Sequence, residues 1–418
     1  MTRRPTPGPA LRPALGRPVA RRATIADVAR LAGVAKGSVS NYLNGQVRLS
    51  DDLRRRIAEA ISALDYRPAD IGRSLTSRRR GAFDVSKIAP GMPLLTVVGH
   101  VSVDFMVRLD RLPDPQGRQV AQEISKAIGG PAANVAALAA GLGGGWPVAT
   151  SLLTAIGNDV DSDWARAELA ARRVEVIASS GAADGRLARA MVMVEPGGQR
   201  TIVAEPVQVA EIDLGEFIAS HAPGPRRWCL HFEGFQVAAR LAQVHAARRA
   251  GFLTSTHTTG MDSAWFRAHV DELLTLFDLV VVQRETLDGA RPDAAMSWLS
   301  EALSRQEAPA ARVVVSLGRD GAACLGPSGE TARCPARRDS AIDETGANDA
   351  IVGTLLGLWL HGAAIEEALP FAVASADRVA TRLGSQELRP TAAELGVDDL
   401  LVPADTLPDP APMPPPPA

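Results

Sequence analysis

At 418 residues, 46% of them apolar, the chain exceeds one small domain and can bury at least two cores. It has no run of about 18 apolar residues free of Gly, Pro and charge, so no membrane span is expected; the three cysteines lack metal or redox spacing and read as free thiols of a reducing cytosol, and with seven scattered histidines no protein-built metal site is expected. The formal net charge of −2 hides an asymmetry: residues 1–90 carry 18 Lys and Arg against 7 Asp and Glu, the remainder 27 against 40, and such a basic head suggests a polyanionic partner.

Residues 1–22, "MTRRPTPGPALRPALGRPVARR", lack the apolar core of a secretory leader and, interrupted by Pro and Gly, read as a disordered basic arm. In "ATIADVARLAGVAKGSVSNYLNG", Thr24 precedes Asp27 by three residues in the manner of a capping box. Ile25, Val28 and Ala29 have helical spacing, and Gly33 marks a break. A second short helix carries Val39, Tyr42 and Leu43, and Asn44-Gly45 ends it. A third runs through "DDLRRRIAEAISALDY" with Leu53, Ile57, Ala60, Ile61 and Leu64 on one face. The pattern is that of a helix-turn-helix over 23–66.

With "YRPADIGRSLTSRRRG" added, residues 23–80 resemble the headpiece of LacI-type repressors. The resemblance implies a second helix in the major groove of a double-stranded DNA operator. The base-reading positions would be Lys36, Gly37 and Asn41, with Ser38 and Ser40 near phosphates. Ala35 and Asn41 depart from the family's usual Ser and Arg, which implies an altered operator; Asn pairs best with adenine. Residues 67–92 would supply a hinge helix and linker, with Leu75 wedged into the minor groove and Arg73, Arg78, Arg79 and Arg80 on phosphates; the alternative is a plain linker. A paired wedge implies a homodimer.

From residue 93 the pattern changes. Apolar runs "LLTVVG", "VATSLLTAIG", "RWCLHFEG", "FDLVVVQ" and "ARVVVSLG" alternate with helical stretches, which predicts an α/β domain with a doubly wound, mostly parallel sheet. "FMVRLDRLP" and "RAMVMVEPGGQRTIVAE" alternate with period two and predict a small β-lid. Gly129-Gly130 precedes a helix bearing Asn134, a candidate polyol contact or, equally, ordinary helix packing and capping. "VVVSLGRDGA" places Gly318 and Gly321 past a buried strand, where such sheets bind ligands. "DETGANDAIVG" is a Gly-rich turn at a helix start, suited to an anion. Asp349 in its first turn suits a general base for an attacking hydroxyl, or else simply complements the helix dipole.

In order and spacing, "GHVSVD", "GGPAANVAALAAGLG", "TAIGNDV", "GGQRTI", "HFEG", "VVSLGRDGA" and "DETGANDA" resemble the ribokinase/PfkB sugar kinases across 93–400. The resemblance implies phosphoryl transfer from ATP, with its Mg2+ and a monovalent cation as a further candidate, to a sugar or polyol hydroxyl. Asp349 would be the base, and Gly346, Ala347, Asn348 and the Asp349 amide the anion hole. Asp104, Gly130 and Asn134 would hold the sugar; Ser316, Gly318, Gly321, Gln283 and Glu285 would line the ATP side. "PADTLPDPAPMPPPPA", 401–418, reads as a disordered tail.

Three departures bear on activity. Where the family has Asn-x-x-Glu, this chain has Gln283-Arg284-Glu285-Thr286, so a carboxylate that helps organise magnesium is displaced or lost. Val373 replaces a frequent Asn near the base. Asn348 replaces a Gly; if its position needs φ > 0, Asn costs only about 1 kcal/mol. Three readings follow: a DNA-binding sugar kinase, a repressor whose kinase fold senses sugar or nucleotide with little turnover, or a kinase whose head no longer reads DNA specifically. Each implies a cytoplasmic, nucleoid-associated protein.

Overall fold

A computed structural model describes residues 25–34, 38–39, 51–63, 84–157, 159–178, 186–196, 198–205, 214–287, 291–306, 311–326, 329–337, 341–397 and 400. The chain divides into two compact units, Met1–Arg80 and Gly81–Ala418.

In the first unit, α1 (Ile25–Ala32) and α2 (Asp51–Ala63) pack around Val28, Ala29, Ala32, Val39, Ile57 and Ala60. These are the apolar positions that the helical spacing selects. The end of α1 is closed by a side chain from α2. Arg56 donates from Nε and Nη2 to Ala32 O at 3.1 and 2.7 Å, and from Nη2 to Gly33 O at 3.0 Å. A guanidinium there satisfies orphan carbonyls and meets the negative end of the helix dipole. Gly33 has φ 64°, and a Cβ on it would lie 2.8 Å from Arg56 Nη2. Ser38 is helical and half-buried. Lys36, Gly37, Ser40, Asn41, Arg73 and Leu75 lie outside the described residues, as do the arm, most of the hinge and the tail.

The second unit begins with Asp84–Ile88, residues read from sequence as linker. Val85 and Ile88 pack against the body's core, and Ile88 O accepts from Arg226 at 3.1 Å. Among the described residues the main sheet runs β13-β12-β11-β10-β9-β8-β1-β4-β5. The strands are β1 (Leu94–Val98), β4 (Ala149–Thr154), β5 (Val174–Ala178), β8 (Trp228–Glu233), β9 (Leu253–His257), β10 (Leu279–Gln283), β11 (Arg312–Ser316), β12 (Ala322–Gly326) and β13 (Gly329–Cys334). All neighbours pair in parallel except β11–β12 and β12–β13. Strands buried on both faces carry continuous apolar runs. Leu95 and Val97 of β1 serve one core; Leu94 and Val98 serve the other.

The first core is covered by α3 (Pro131–Gly141), α4 (Val160–Ala171), α10 (Ala347–Leu360) and α11 (Ile365–Val379). The second is covered by α5 (Leu214–Ser220), α6 (Gly234–Val237), α7 (Leu241–Arg249), α8 (Ser263–Leu276) and α9 (Pro292–Ser304). A separate sheet of order β3-β2-β6-β7 forms the lid: β2 (Ser102–Arg108), β3 (Glu123–Gly129), β6 (Ala188–Val194) and β7 (Arg200–Ala204). Where the β6–β7 hairpin turn was expected, Gly198 has φ 81° and its N donates to Glu195 O. The doubly wound, mostly parallel sheet with a β-lid is therefore as the sequence predicts.

Strands β3, β5, β9, β12 and β13 lie outside the runs quoted from the sequence, and two of them show why. β9, "LTSTH", buries Thr254, Ser255, Thr256 and His257 with no exposure above 0%, so it lacks the apolar signature of a central strand. Hydrogen bonds replace it: Thr256 Oγ1 to Phe232 O, and the Ser255 hydroxyl against both Cys229 Sγ and His231 Nδ1. β3, "EISKAIG", is exposed over its first half, Ile124 included, and buried only at its end.

Candidate active site

Because β1, β8, β9, β10 and β11 are parallel, their C-terminal ends share one edge. On it stand His100, Glu233, His257, Gln283 and Ser316, where open α/β sheets bind ligands.

Asp349 sits in the first turn of α10, and Asn134 in the first turns of α3. These helices approach closely because α10 carries Gly353 facing α3: a Cβ there would lie 2.8 Å from Val135 O. The approach puts Asn134 Nδ2 2.7 Å from Asp349 Oδ2. Asn134 Oδ1 accepts from Ser385 Oγ and Gln386 Nε2, each at 2.8 Å. Burial pushes the Asp349 carboxyl up to about 6, opposed by the Asn134 hydrogen bond and the charge of Arg200.

Gly346 caps α10 with φ 79°, the left-handed conformation. A Cβ there would lie 2.5 Å from Ser385 Cβ, so both conformation and space require glycine. The helix has no side-chain cap, and the positive end of a 14-residue helix dipole faces the site. That is a fit to an anion such as a nucleotide phosphate. Asn348 is the second residue of α10 and has no positive φ, so the condition under which it would be strained is not met. Its Oδ1 accepts from Ser316 Oγ at 2.6 Å, which joins the end of β11 to the start of α10.

Asp104 lies on the lid strand β2, buried, and accepts from Ser102 Oγ at 2.8 Å. Burial raises its carboxyl above the ordinary value. Gly129 opposes it: a Cβ would fall 2.1 Å from both carboxylate oxygens. Gly130, at φ 94°, caps α3 ahead of Pro131, and a Cβ there would meet His100 O at 2.5 Å.

Two groups in the site went unread in the sequence. Glu233, within the quoted "HFEG", is wholly buried. Its Oε1 accepts from the His100 amide at 2.9 Å and His100 Nδ1 at 2.7 Å, and its Oε2 from the Ala132 amide at 3.3 Å. Burial works against a charged His100, but Glu233, Asp104 and Asp349 together raise its pKa above the ordinary value. The second group is Gly384, Ser385 and Gln386, in the turn after α11. Gly384 N donates to Asp343 Oδ2 at 2.8 Å, while Thr345 N and Oγ1 hold Asp343 Oδ1. A buried Glu just after an apolar run was the available signal for Glu233; nothing local marks Ser385.

On the side expected for the nucleotide, Gln283 N donates to Thr258 Oγ1 at 2.9 Å, and its Nε2 donates to Thr259 Oγ1. Thr286 is buried, its Oγ1 2.8 Å from Thr258 Oγ1, while Glu285 is exposed. Gly318 has φ 66°. Gly321 has φ 91°, and a Cβ there would lie 2.0 Å from Cys334 O, a packing reason for glycine independent of any ligand. Val373 is buried in the first core.

The architecture is ribokinase-like: a doubly wound sheet, a β-lid bearing one buried carboxylate, and a second carboxylate at an uncapped helix start. Residues 92–392 match the model of the pfkB family of carbohydrate kinases, and residues 24–69 that of the lacI family of bacterial regulatory proteins. The chain belongs to the pfkB family and carries a LacI-type DNA-binding headpiece. An ATP-dependent ribose-1-phosphate kinase of Halopiger xanaduensis is 28% identical over 302 residues, which are 70% of this chain and 94% of that protein. Catabolite control protein A of Streptococcus mutans is 43% identical over 56 residues, 13% of this chain; the chain spans 17% of that regulator's length. Arabidopsis thaliana ribokinase complexed with ribose and ATP superposes with a TM-score of 0.57 at 20% identity, over 73% of this chain and 98% of that one.

Proposed function

We propose that this protein transfers the terminal phosphoryl group of ATP to a sugar or polyol hydroxyl, with Asp349 as general base. The observation that carries the reading is the pinned, buried carboxylate of Asp349 at the uncapped start of α10. A base with a pKa near 6 is ionised at neutral pH yet basic enough to take a proton as the hydroxyl attacks. The amides of Ala347, Asn348 and Asp349 would stabilise the transferring group, and Asp104, Gly130 and Asn134 would orient the acceptor. Ser316, Gly318, Gly321, Gln283 and Glu285 would line the ATP side. Mg2+ would arrive with ATP, and a monovalent cation is a further candidate. The domain limits proposed are 23–66, 67–92 and 93–400, between a basic arm and a Pro-rich tail.

The headpiece would place this kinase on a double-stranded operator as a homodimer in the cytoplasm. The lid supports pairing: Ile124, Met191 and Val203 are exposed on it. ADP release with MgATP across a sugar panel tests the kinase reading, with Asp349→Asn as control. Activity in the wild type that vanishes in the variant is expected. A second reading, a sensor with little turnover, is favoured by buried Thr286 in place of an inner carboxylate. It would hold if both proteins are silent while sugars still raise the melting temperature.

A further inference from the structure

Asn348 and Asp349 are neighbours in the first turn of α10, and their side chains leave it in different directions. Asp349 reaches Asn134 on α3, whereas Asn348 reaches the end of β11, where its Oδ1 accepts from Ser316 Oγ at 2.6 Å. Between the two side chains lie the free amides of an uncapped helix start, which draw an anion. α3 bears Asn134, expected to hold the acceptor, and β11 leads into the turn of Gly318 and Gly321, expected to hold ATP. Asn348 therefore meets the helix start from the nucleotide side.

A carboxamide has an accepting end and a donating end. Ser316 engages Oδ1, and Nδ2 makes no hydrogen bond among the described residues. The side chain is half-buried. The reverse flip would set a carbonyl oxygen against the anion that the helix start attracts, so the Ser316 hydroxyl favours the flip that presents a donor. Charged side chains next to the same strand ends are engaged by acids: Arg284 lies 3.4 Å from Asp320, and Arg319 3.1 Å from Glu344. Asn348 thus adds a neutral donor to the backbone amides of the helix start.

We propose that Asn348 Nδ2 donates a hydrogen bond to the terminal phosphoryl group of ATP, and that Ser316 is the positioning residue that keeps this end of the amide outward. This rests on the kinase reading, in which ATP supplies the anion at α10. As the acceptor oxygen bonds to phosphorus, the bond to the bridging oxygen breaks, its electron pair leaves with ADP, and Asp349 takes the hydroxyl proton. Asn348 gives up no proton; its hydrogen bond stabilises charge on the phosphoryl oxygens as the group moves.

Nucleotide binding tests the proposal without turnover. ADP and a non-hydrolysable ATP analogue are titrated into the full-length protein with Mg2+. Asn348→Gly should weaken the analogue about tenfold or more and leave ADP within twofold. Asn348→Asp keeps an oxygen for Ser316 but loses the donor, and should weaken the analogue at least as much. Ser316→Ala frees the amide to flip; it should weaken the analogue in the otherwise unaltered protein and have no further effect beside Asn348→Gly. Equal losses for ADP and the analogue, or no loss for either, would overturn the proposal and leave Asn348 as a clip between β11 and α10. The kinase reading fails separately: an analogue that binds with the expected dependence on Asn348, in a protein that releases no ADP from MgATP with any sugar, would sink turnover and keep the donor. ADP release with sugar, unchanged within twofold in Asn348→Gly along with analogue binding, would sink only the donor.

Discussion

Asn134 Nδ2 donates to Asp349 Oδ2 at 2.7 Å, joining the first turns of two helices 215 residues apart in the chain. Asn134→Ala would leave Asp349, Ser385 and Gln386 short of a buried partner at once. A loss of about 1–3 kcal/mol in stability is expected, read by chemical denaturation. The same hydrogen bond holds the Asp349 pKa down. Its removal should move the acidic limb of kcat/KM above about 6, and an unmoved limb would show that Asp349 does not set it.

Asp349→Asn should abolish phosphoryl transfer and stabilise the fold at neutral pH. The folded-state pKa of Asp349 is raised from 3.8 to about 6. Stability is therefore fully present below the ordinary carboxylate value and falls as pH rises through about 6. At pH 7 the buried charge costs on the order of 3 kcal/mol. Thermal melts from pH 4 to pH 8 should show the variant gaining on the wild type across that window and matching it near pH 4.

Gly129→Ala tests the role of Asp104. A Cβ 2.1 Å from its carboxylate must displace it. The acceptor KM should rise about tenfold or more while KM for MgATP stays within twofold, since losing one charged hydrogen bond is worth roughly 1.5–3 kcal/mol. Equal changes in both constants would point to a general collapse of the lid.

Asp161 of α4 ties the lid to the body. It accepts from Lys126 on β3 at 2.8 Å and from Arg189 Nε on β6 at 2.9 Å, and Lys126 Nζ lies 4.0 Å over the Trp164 ring. Hydrogen bonding from Lys126 and Arg189 outweighs partial burial and holds its carboxyl below the ordinary value. Asp161→Asn should speed amide exchange in β3 and β6 and make it insensitive to salt; unchanged exchange would show that the lid needs no such tie.

In the headpiece, Arg56→Ala removes three hydrogen bonds from the end of α1. With so small a core, a loss of about 2 kcal/mol is expected, which should melt the headpiece first and leave the kinase transition in place. A single unchanged transition would show that the cap contributes little.

Much of this was legible in residue order. "LLTVV" and "LVVVQ" are apolar on both faces, which only a doubly covered strand tolerates, and "RAMVMVEPGGQRTIVAE" reads as a hairpin about its turn, of which β6 buries Val192 and Val194 while β7 buries no residue. β9 was not legible, because its burial is compensated by hydrogen bonds to Phe232 and His231 rather than by apolar side chains. Nor was the seat of Asn348, whose Ser316 partner is 32 residues away.

By itself the sequence determined the α/β class, the headpiece motif and the presence of Asp349 at a Gly-rich helix start, since hydrophobic period and turn chemistry are local properties. Only the tertiary structure decided that Asn134 holds Asp349, that Glu233 holds His100, and that Ser385 and Gln386 close the site. The pairing of Asn134 with Asp349 depends on how closely α3 and α10 pack, and so on a missing side chain at Gly353 that no local pattern connects to Asn134.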